Sequence, residues 1–289
     1  MTTSTSQATP TTAVTTSTTM LAPSSTDAGA ACEAGESGAD SPLASHQVFV
    51  TTSPDAATFS ADFQLVMDMA SVPDGTIGPD GSLWVYFVNG EPGRHGIFAA
   101  RQTGTDEWEK VDCIRIDGEF VGDAVDPDIV RLDDGTYLLF YYVGHFVTRP
   151  VPDGEPHPIY RAVSTDGIHF TSATLAFTAE AITDPTVTRL ANGSWLMALM
   201  QNGHVLLAGS DDGLVFDELM SIDLFGIPEL LTLPNGTVRL VASTALDSRD
   251  GGITWVEVST DPIPGGGADP SFVQLDDGGY AFFFKEFDR

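Results

Sequence analysis

The chain has 289 residues, and 42% of them are hydrophobic, so it can bury a substantial core. Its 41 Asp and Glu residues against 12 Lys and Arg residues give a formal net charge of −29, which repels phosphate backbones and anionic membrane surfaces. We therefore do not expect nucleic acid as a partner, and no apolar run reaches the roughly 18 residues of a membrane-spanning helix.

Residues 1–45 are predicted to form a disordered tail or linker. They contain few large apolar side chains and are dominated by Thr, Ser, Ala and Gly, so burial cannot offset the entropy lost on ordering them. A positively charged segment followed by an apolar run is not visible, and no signal peptide can be read from the sequence. A Thr/Ser-rich spacer nevertheless commonly separates an export signal or anchor from an extracellular domain.

The composition also favours a secreted or cell-surface location. An acidic surface suits a saline or calcium-containing medium, in which dissolved ions screen the repulsion between like charges. Only two cysteines occur, Cys32 and Cys113. They either pair or remain free thiols, because two cysteines specify no disulfide framework.

A strand–turn–strand pattern dominates the rest of the chain and occurs five times. Its turns contain Asp, Asn and Gly, which tolerate the positive φ of tight hairpins, and its strands are rich in β-branched and aromatic residues. The turn glycines are spaced 42 to 58 residues apart, in the range of one four-stranded propeller blade. These glycines are Gly81, Gly135, Gly193, Gly236 and Gly278. The pattern predicts an all-β, five-bladed β-propeller over residues 46–289.

The two ends of the propeller complement each other. Residues 47–67 resemble the second half of a blade, whereas the C-terminus, from Asp269 to Phe287, supplies only a first half. We expect the N-terminal strands to pair with the C-terminal strands, which closes the ring and leaves no sheet edge open.

Carboxylates stand at the start of the predicted first strand of every blade. Because these innermost strands all begin at one end of the central channel, their carboxylates converge there. The acidic residues in these positions are Asp74, Asp126, Asp128, Asp184, Glu229 and Asp269. The loops that join second and third strands reach the same end, and they add Arg94, His95, His145, Arg149, His157, His204, Asp247 and Arg249. The sequence predicts a carboxylate-lined funnel, with His95, His145, His204 and Arg249 as the binding candidates from these loops.

A purely structural role is the alternative for these acidic residues. An Asp at the start of a strand satisfies nearby backbone N–H groups and caps a turn. That interpretation suits Asp126 and Asp269, which precede proline, better than Glu229. Glu is a poor local capper, and a carboxylate buried in the apolar run GIPELL is costly unless it is used or paired.

The arrangement resembles five-bladed furanosidase-type glycoside hydrolases, namely the arabinanase and β-xylosidase family and the related invertases and levansucrases. Those enzymes carry an Asp at the start of blade one, an Asp-Pro at the start of blade three and a Glu at the start of blade four. The matching residues are Asp74 in VPDG, Asp184 in TDPT and Glu229 in IPEL. Blade one has Pro-Asp-Gly where the arabinanase type has Asp-Pro. Uncharacterised bacterial propellers share the pattern, and for them the resemblance implies no activity.

The resemblance implies a glycosidase mechanism. Asp74 would act as general base or nucleophile, Glu229 as general acid, and Asp184 would orient the substrate and raise the pKa of the acid. The predicted substrate-binding residues are Asp126, Asp128, Asp269, His95, His145, His204 and Arg249. Hydrolysis of a glycosidic bond needs one ionised and one protonated carboxyl group across that bond.

Two other functions stay open. One is a non-catalytic propeller that binds a glycan, a cation or a protein in the same funnel. The other is a sialidase-like enzyme, because Ser248 to Trp255 matches the Asp-box pattern S-x-D-x-G-x-T-W. Asp-boxes stabilise propeller turns, however, and a sialidase also needs three arginines, a Tyr nucleophile and usually six blades.

No cofactor is required by this chemistry, although calcium would suit the many hard oxygen ligands in the channel or in the Asp-rich turns. No Cys/His cluster has zinc spacing. The expected partner is a carbohydrate, and we expect the chain to act as a monomer.

Overall fold

The structure, a computed structural model, describes residue 32 and residues 42–144, 155–260 and 262–287. Within these ranges it has 22 β-strands and two short 3-10 helices, Pro42–Ser45 and Pro264–Gly266. None of the described helices is long and apolar enough to cross a bilayer. The strands are β1 (His46–Ser53), β2 (Gln64–Asp68), β3 (Ala70–Ile77), β4 (Leu83–Asn89), β5 (Ile97–Gln102), β6 (Trp108–Cys113), β7 (Arg115–Ile116), β8 (Glu119–Phe120), β9 (Ala124–Arg131), β10 (Tyr137–Val143), β11 (Pro156–Ser164), β12 (His169–Glu180), β13 (Ile182–Arg189), β14 (Trp195–Gln201), β15 (His204–Ser210), β16 (Asp217–Ile222), β17 (Glu229–Thr232), β18 (Val238–Val241), β19 (Ala245–Ser248), β20 (Val256–Ser259), β21 (Ala268–Gln274) and β22 (Tyr280–Phe287).

These strands form five antiparallel blades. Blade 1 is β3-β4-β5-β6, blade 3 is β13-β14-β15-β16, and blade 4 is β17-β18-β19-β20. Blade 2 is β9-β10-β11-β12, with the short β7 and β8 added at its outer edge. The innermost strands β3, β9, β13, β17 and β21 each pack against the next around the ring. The five-bladed propeller predicted from the repeat is confirmed.

Blade 5 closes the ring with both ends of the chain. Its strand order is β21-β22-β1-β2, so the N-terminal strand β1 lies between β22 and β2. The register runs from His46 opposite Phe287 to Ser53 opposite Tyr280. This confirms the predicted pairing of N-terminal with C-terminal strands.

The turn between the first and second strand has the same hydrogen bonds in every blade. In blade 2, the Gly135 N–H donates to the Leu132 carbonyl at 2.9 Å, and the Leu132 N–H donates to the Thr136 carbonyl at 2.8 Å. The corresponding glycines all have φ between 80° and 91°. Only glycine adopts this conformation without steric cost, which explains why the repeat is visible in the sequence.

The Asp-box is a turn device at the connection between third and fourth strands. In blade 4 the Ser248 hydroxyl donates to Asp250 at 2.8 Å and accepts the Gly252 N–H at 2.8 Å. The indole N–H of Trp255 donates to the Gly252 carbonyl at 3.0 Å. Equivalent Ser–Asp pairs lie in blades 5, 2 and 3, at Ser53 and Asp55, Ser164 and Asp166, and Ser210 and Asp212. The motif therefore stabilises hairpins.

Part of the segment before His46 contacts the propeller. Cys32 forms a disulfide with the buried Cys113 of β6, so the structure contains the paired alternative. Leu43 is also buried and packs in the hydrophobic core. The ordered unit thus includes residues that precede the predicted boundary, whereas residues 1–31 and 33–41 of the predicted tail lie outside the described residues.

Candidate functional site

A residue, a proline and a second residue stand within the first few residues of four innermost strands and overlap the start of the fifth, β17. The residue before proline has φ between 48° and 54° in blades 1, 2, 3 and 5, and the pairing register shifts beside it. A proline cannot donate a ladder hydrogen bond, so it is accommodated in such a bulge. We call the residues before proline the outer ring: Val72, Asp126, Asp184, Ile227 and Asp269. We call the residues after proline the inner ring: Asp74, Asp128, Thr186, Glu229 and Ser271.

The inner ring is a closed belt of hydrogen bonds between blades. Every inner-ring side chain accepts a hydrogen bond from a backbone N–H of the next blade. The donor is the residue directly after the inner-ring residue of that blade. The five bonds run from Ile129 N–H to Asp74 (2.5 Å), Val187 N–H to Asp128 (3.2 Å), Leu230 N–H to Thr186 (3.0 Å), Phe272 N–H to Glu229 (3.1 Å) and Gly75 N–H to Ser271 (3.0 Å). The carboxylates of this ring therefore satisfy backbone N–H groups, as a purely structural role requires. These N–H groups belong to the neighbouring blade.

Three inner-ring carboxylates, Asp74, Asp128 and Glu229, form a buried cluster. Each offers an oxygen within 4.8 Å of the others, and the side chains are 7%, 5% and 6% exposed. Burial raises the pKa of Asp74 to about 7. Burial and mutual repulsion raise the pKa values of Asp128 and Glu229 well above the usual range. The cavity that they border measures about 20 Å³, which suffices for one small ion or water and leaves no room for a sugar ring.

The outer ring is more open. Asp126 and Asp184 are half-buried, and the Asp184 N–H lies 3.4 Å from the Asp126 carboxylate. Burial and the charge of Asp269 raise the pKa of Asp184 to about 6, while burial and Asp184 raise the pKa of Asp126 well above its usual range. Asp269 is buried in an ion pair with Lys285.

A cavity of about 310 Å³ lies over the outer ring. Asp126, Asp184 and Lys285 border it, together with His46 and with the stacked pair of Tyr142 and His157. The His157 Nδ1 atom donates to the Ile182 carbonyl at 2.7 Å. Burial and nearby Lys285 lower the pKa of His46, whose Nδ1 atom is hydrogen-bonded to Ser71 at 2.9 Å. The arrangement combines two neighbouring carboxyl groups with imidazole groups and an aromatic wall.

Three of these residues were not predicted from the sequence. His46 and Lys285 reach the cavity because β1 pairs with β22, and Tyr142 does so from the end of β10. Lys285 could have been singled out by its charge, because the chain has only 12 Lys and Arg residues and this lysine follows three buried phenylalanines.

The other predicted binding residues do not line the cavity. His95 is buried in the connection between β4 and β5, and His204 is exposed, with Nδ1 3.2 Å from Asp223. Asp128 belongs to the buried carboxylate cluster, and Asp269 belongs to the buried ion pair with Lys285. His145 lies outside the described residues.

The predicted position of Arg249 was wrong. In blade 4 the connection between the second and third strands consists of residues 242–244, and Arg249 follows β19 in the turn to β20. Because β17 starts at the channel mouth and its neighbours are antiparallel, that turn lies at the opposite end of the blade. The strands of blade 4 have only four residues each. Its third strand therefore ends at Ser248, before Arg249, whereas the sequence pattern had placed Arg249 ahead of that strand.

No protein-family model matches the chain, and no curated protein matches its sequence. Solved structures match its fold. A family-43 glycoside hydrolase from Bacillus licheniformis has a TM-score of 0.56 at 11% identity, with 75% of this chain and 49% of that chain covered. A thermostable family-43 glycoside hydrolase has a TM-score of 0.54 at 14% identity and covers 76% of this chain and 92% of its own.

A third similar structure is an enzyme with a different reaction. An N-acetylgalactosamine deacetylase from F. plautii, in complex with blood group B trisaccharide, has a TM-score of 0.52 at 13% identity, covering 79% of this chain and 81% of that chain. The chain spans about half the length of the Bacillus licheniformis enzyme. One fold thus carries several reactions. What these similarities show is that the chain has the five-bladed propeller fold of family-43 glycoside hydrolases.

Proposed function

We propose that the protein is a glycoside hydrolase that binds a sugar in the 310 Å³ cavity and uses Asp126 and Asp184 as its reacting carboxyl groups. The observation that carries this proposal is the pair of neighbouring, half-buried carboxyl groups at the base of a cavity of ligand-binding size. The similarity in fold to family-43 enzymes supports the reaction class.

The two carboxyl groups divide the chemistry. Asp184, with a pKa of about 6, is mostly ionised at neutral pH. Asp126 beside it donates a proton to the glycosidic oxygen as the bond to the leaving group breaks. Asp184 either removes a proton from the water that attacks the anomeric carbon, or attacks that carbon itself and is then displaced by water, whose proton returns to Asp126. The Thr183 hydroxyl donates to the Asp184 carboxylate at 2.6 Å and orients it.

The proposal differs from the roles that the resemblance implied. It keeps Asp184 in the site but gives Asp74 and Glu229 positions in the belt, because the space between them does not hold a sugar. The outer-ring positions of blades 1 and 4, which are open to the cavity, hold Val72 and Ile227. These apolar residues, with the stacked Tyr142 and His157, form a surface against which the carbon-bound face of a sugar can pack.

The experiment is hydrolysis of a panel of aryl glycosides and of plant and marine polysaccharides. We expect the wild type to turn over at least one substrate, and Asp126→Asn and Asp184→Asn each to lower kcat by about 10²-fold or more while the fold is kept. Asp223→Asn, an exposed carboxyl outside the cavity, is the matched control and keeps full activity.

The same panel tests the alternative assignment. If Asp74→Asn and Glu229→Gln abolish turnover in folded protein while Asp126→Asn and Asp184→Asn do not, the reacting pair lies in the inner ring. The stereochemistry of the product, followed by proton NMR, then distinguishes direct displacement from a covalent intermediate.

A non-catalytic glycan-binding propeller is the second candidate. It is favoured by the belt, in which Asp74 and Glu229 already accept hydrogen bonds from neighbouring blades. This function predicts glycan binding in calorimetry with no turnover of any substrate. A sialidase-like function has less support, since the described residues around the cavity include no arginine.

We also propose a secreted or cell-surface location. The Cys32–Cys113 disulfide supports it, because such bonds persist in oxidising compartments. Cell fractionation combined with thiol labelling tests this proposal. Cytoplasmic protein with two labelled thiols would contradict it.

A further inference from the structure

We propose that Ser71 and His46 form a nucleophile–base pair that hydrolyses small carboxylic esters in the 310 Å³ cavity. The Ser71 hydroxyl oxygen lies 2.9 Å from the His46 Nδ1 atom, and both residues border the cavity. A serine hydroxyl within hydrogen-bond reach of a histidine is the arrangement that activates serine for attack on a carbonyl carbon. The activity is separate from the proposed glycoside hydrolysis, which assigns no step to either residue.

Closure of the ring brings these two side chains together. Ser71 lies in β3, the innermost strand of blade 1, whereas His46 begins β1, which belongs to blade 5. The His46 ring packs edge-to-face against Phe287, its partner across β1 and β22, with ring centroids 4.7 Å apart. This contact orients the imidazole, which is the task of the carboxylate in a Ser-His-Asp triad.

The surroundings of His46 favour the form that accepts a proton. Burial is the largest cause of its lowered pKa, and the charge of Lys285 lowers the pKa further, whereas Asp269 opposes the shift. The imidazole is therefore mostly neutral at neutral pH, and a neutral imidazole can take the proton of the Ser71 hydroxyl.

Lys285 supplies positive charge for the oxyanion that forms from an ester carbonyl. It borders the same cavity, and its ammonium group is paired with Asp269 at 2.5 Å. An ammonium group has three N–H donors, so two remain beside the one directed at Asp269. The Lys285 Nζ atom also lies 5.4 Å from the centre of the Phe287 ring, which holds the group from a second side. A fixed cation beside developing negative charge lowers the barrier to acyl transfer.

The reaction proceeds in two steps. The Ser71 oxygen attacks the carbonyl carbon while its proton passes to His46, and His46 then protonates the leaving alcohol as the bond between that alcohol and the carbonyl carbon breaks. Water attacks the acyl-serine and gives a proton to His46. The bond between Ser71 and the acyl group then breaks, the carboxylic acid is released, and the proton returns to Ser71.

The apolar side of the cavity selects the acyl group. Leu43, Val72, Val88 and Val125 border it and form a surface for an alkyl chain. The volume of about 310 Å³ lies at the lower end of the range of about 300–1,000 Å³ that is typical of small-molecule sites. We therefore expect short acyl groups, from acetyl to butyryl, as substrates.

The test combines labelling by a fluorophosphonate with hydrolysis of p-nitrophenyl acetate and butyrate. We expect wild type to hydrolyse both esters and to form one phosphonate adduct, with loss of fluoride, which peptide mass spectrometry locates at Ser71. Ser71→Ala should abolish adduct and turnover, and His46→Phe should lower kcat about 10²-fold or more. His204→Phe, the same change at an exposed histidine outside the cavity, is the matched control and should keep full activity.

The structural alternative is that the hydrogen bond between Ser71 and His46 only joins blade 5 to blade 1. The proposal is overturned if wild type forms no adduct at Ser71, or if it hydrolyses the esters no faster than Ser71→Ala. Should Ser71→Ala fail to fold, the position of the adduct in wild type decides the question. An adduct at Ser71 supports the pair, and an adduct only elsewhere refutes it. These readouts do not depend on whether the protein hydrolyses a glycoside.

Discussion

The Thr186 hydroxyl donates a hydrogen bond of 2.9 Å to the Glu229 carboxylate and accepts the Leu230 N–H at 3.0 Å. One side chain of blade 3 thus binds both a side chain and the backbone of blade 4. The same relationship closes the ring elsewhere, since Ser271 of blade 5 donates to Asp74 of blade 1 at 2.6 Å and accepts the Gly75 N–H at 3.0 Å. The blades are therefore joined by polar contacts at the channel as well as by apolar packing.

Thr186→Val should destabilise the fold by about 1–3 kcal/mol, because it keeps the shape of the side chain and leaves the buried Leu230 N–H without an acceptor. Urea unfolding measures the change. Thr186→Ser keeps the hydroxyl and is the matched control, with an expected loss well below that of the valine variant. Equal stability of the two variants would show that the belt contributes nothing.

Deletion of residues 47–67 should prevent formation of the closed ring. It removes β1 and β2, which exposes the edge of β22 and uncovers one side of blade 5. We expect the loss of a cooperative thermal transition and the appearance of aggregates in size-exclusion chromatography. Deletion of residues 1–31 is the control and should leave the transition intact. A monomeric, cooperatively folding 47–67 deletion would contradict the closure.

The stability of the protein should depend on the ionisation of Asp184. Its pKa is about 6 when folded against 3.8 ordinarily, so the folded state holds this proton more tightly than the unfolded state. Its contribution to stability is therefore greatest at low pH, falls as pH rises from about 4 to about 6, and is level above. Burial is the largest cause of the raised pKa and Asp269 adds to it, whereas the Thr183 hydroxyl and Lys285 oppose it.

Asp184→Asn removes that titration. Urea unfolding at several pH values between 4 and 7 should show the variant gaining stability relative to wild type as pH rises from about 4 to about 6, with no further gain above. Asp223→Asn, an exposed carboxyl, should show no such gain. A constant difference between wild type and Asp184→Asn across this range would contradict the raised pKa.

Reduction of the Cys32–Cys113 disulfide should lower stability by about 2–4 kcal/mol, because the cross-link restricts the unfolded chain. Thermal unfolding with and without dithiothreitol measures the effect. The double variant Cys32→Ser, Cys113→Ser should have the lower stability of reduced protein and no response to the reductant. An unchanged Tm of reduced wild type would show that this bond is energetically neutral.

Local features of the sequence were sufficient to predict the fold. Gly81 and the four corresponding turn glycines have positive φ, so they mark the first hairpin of every blade. The half-blades at the two ends of the chain indicate that the N-terminal and C-terminal strands pair in one sheet. Both signals arise from backbone conformation and strand pairing, which depend on residues close in sequence or on a repeat period. The convergence of the first-strand carboxylates followed from the same topology.

The division of the carboxylates into two rings was decided only by the tertiary structure. In blades 1, 2, 3 and 5 a register shift accompanies the proline, and the closed ring places Asp126 and Asp184 at the open cavity but Asp74 and Glu229 in the belt. Sequence spacing cannot distinguish these depths, because residues two apart occupy the same face of a regular strand. The partners within the belt, such as Ser271 of blade 5 for Asp74 of blade 1, come from blades that are distant in sequence. Hydrogen bonds and charge interactions depend on distances of a few ångströms, and those are set only when the ring has closed.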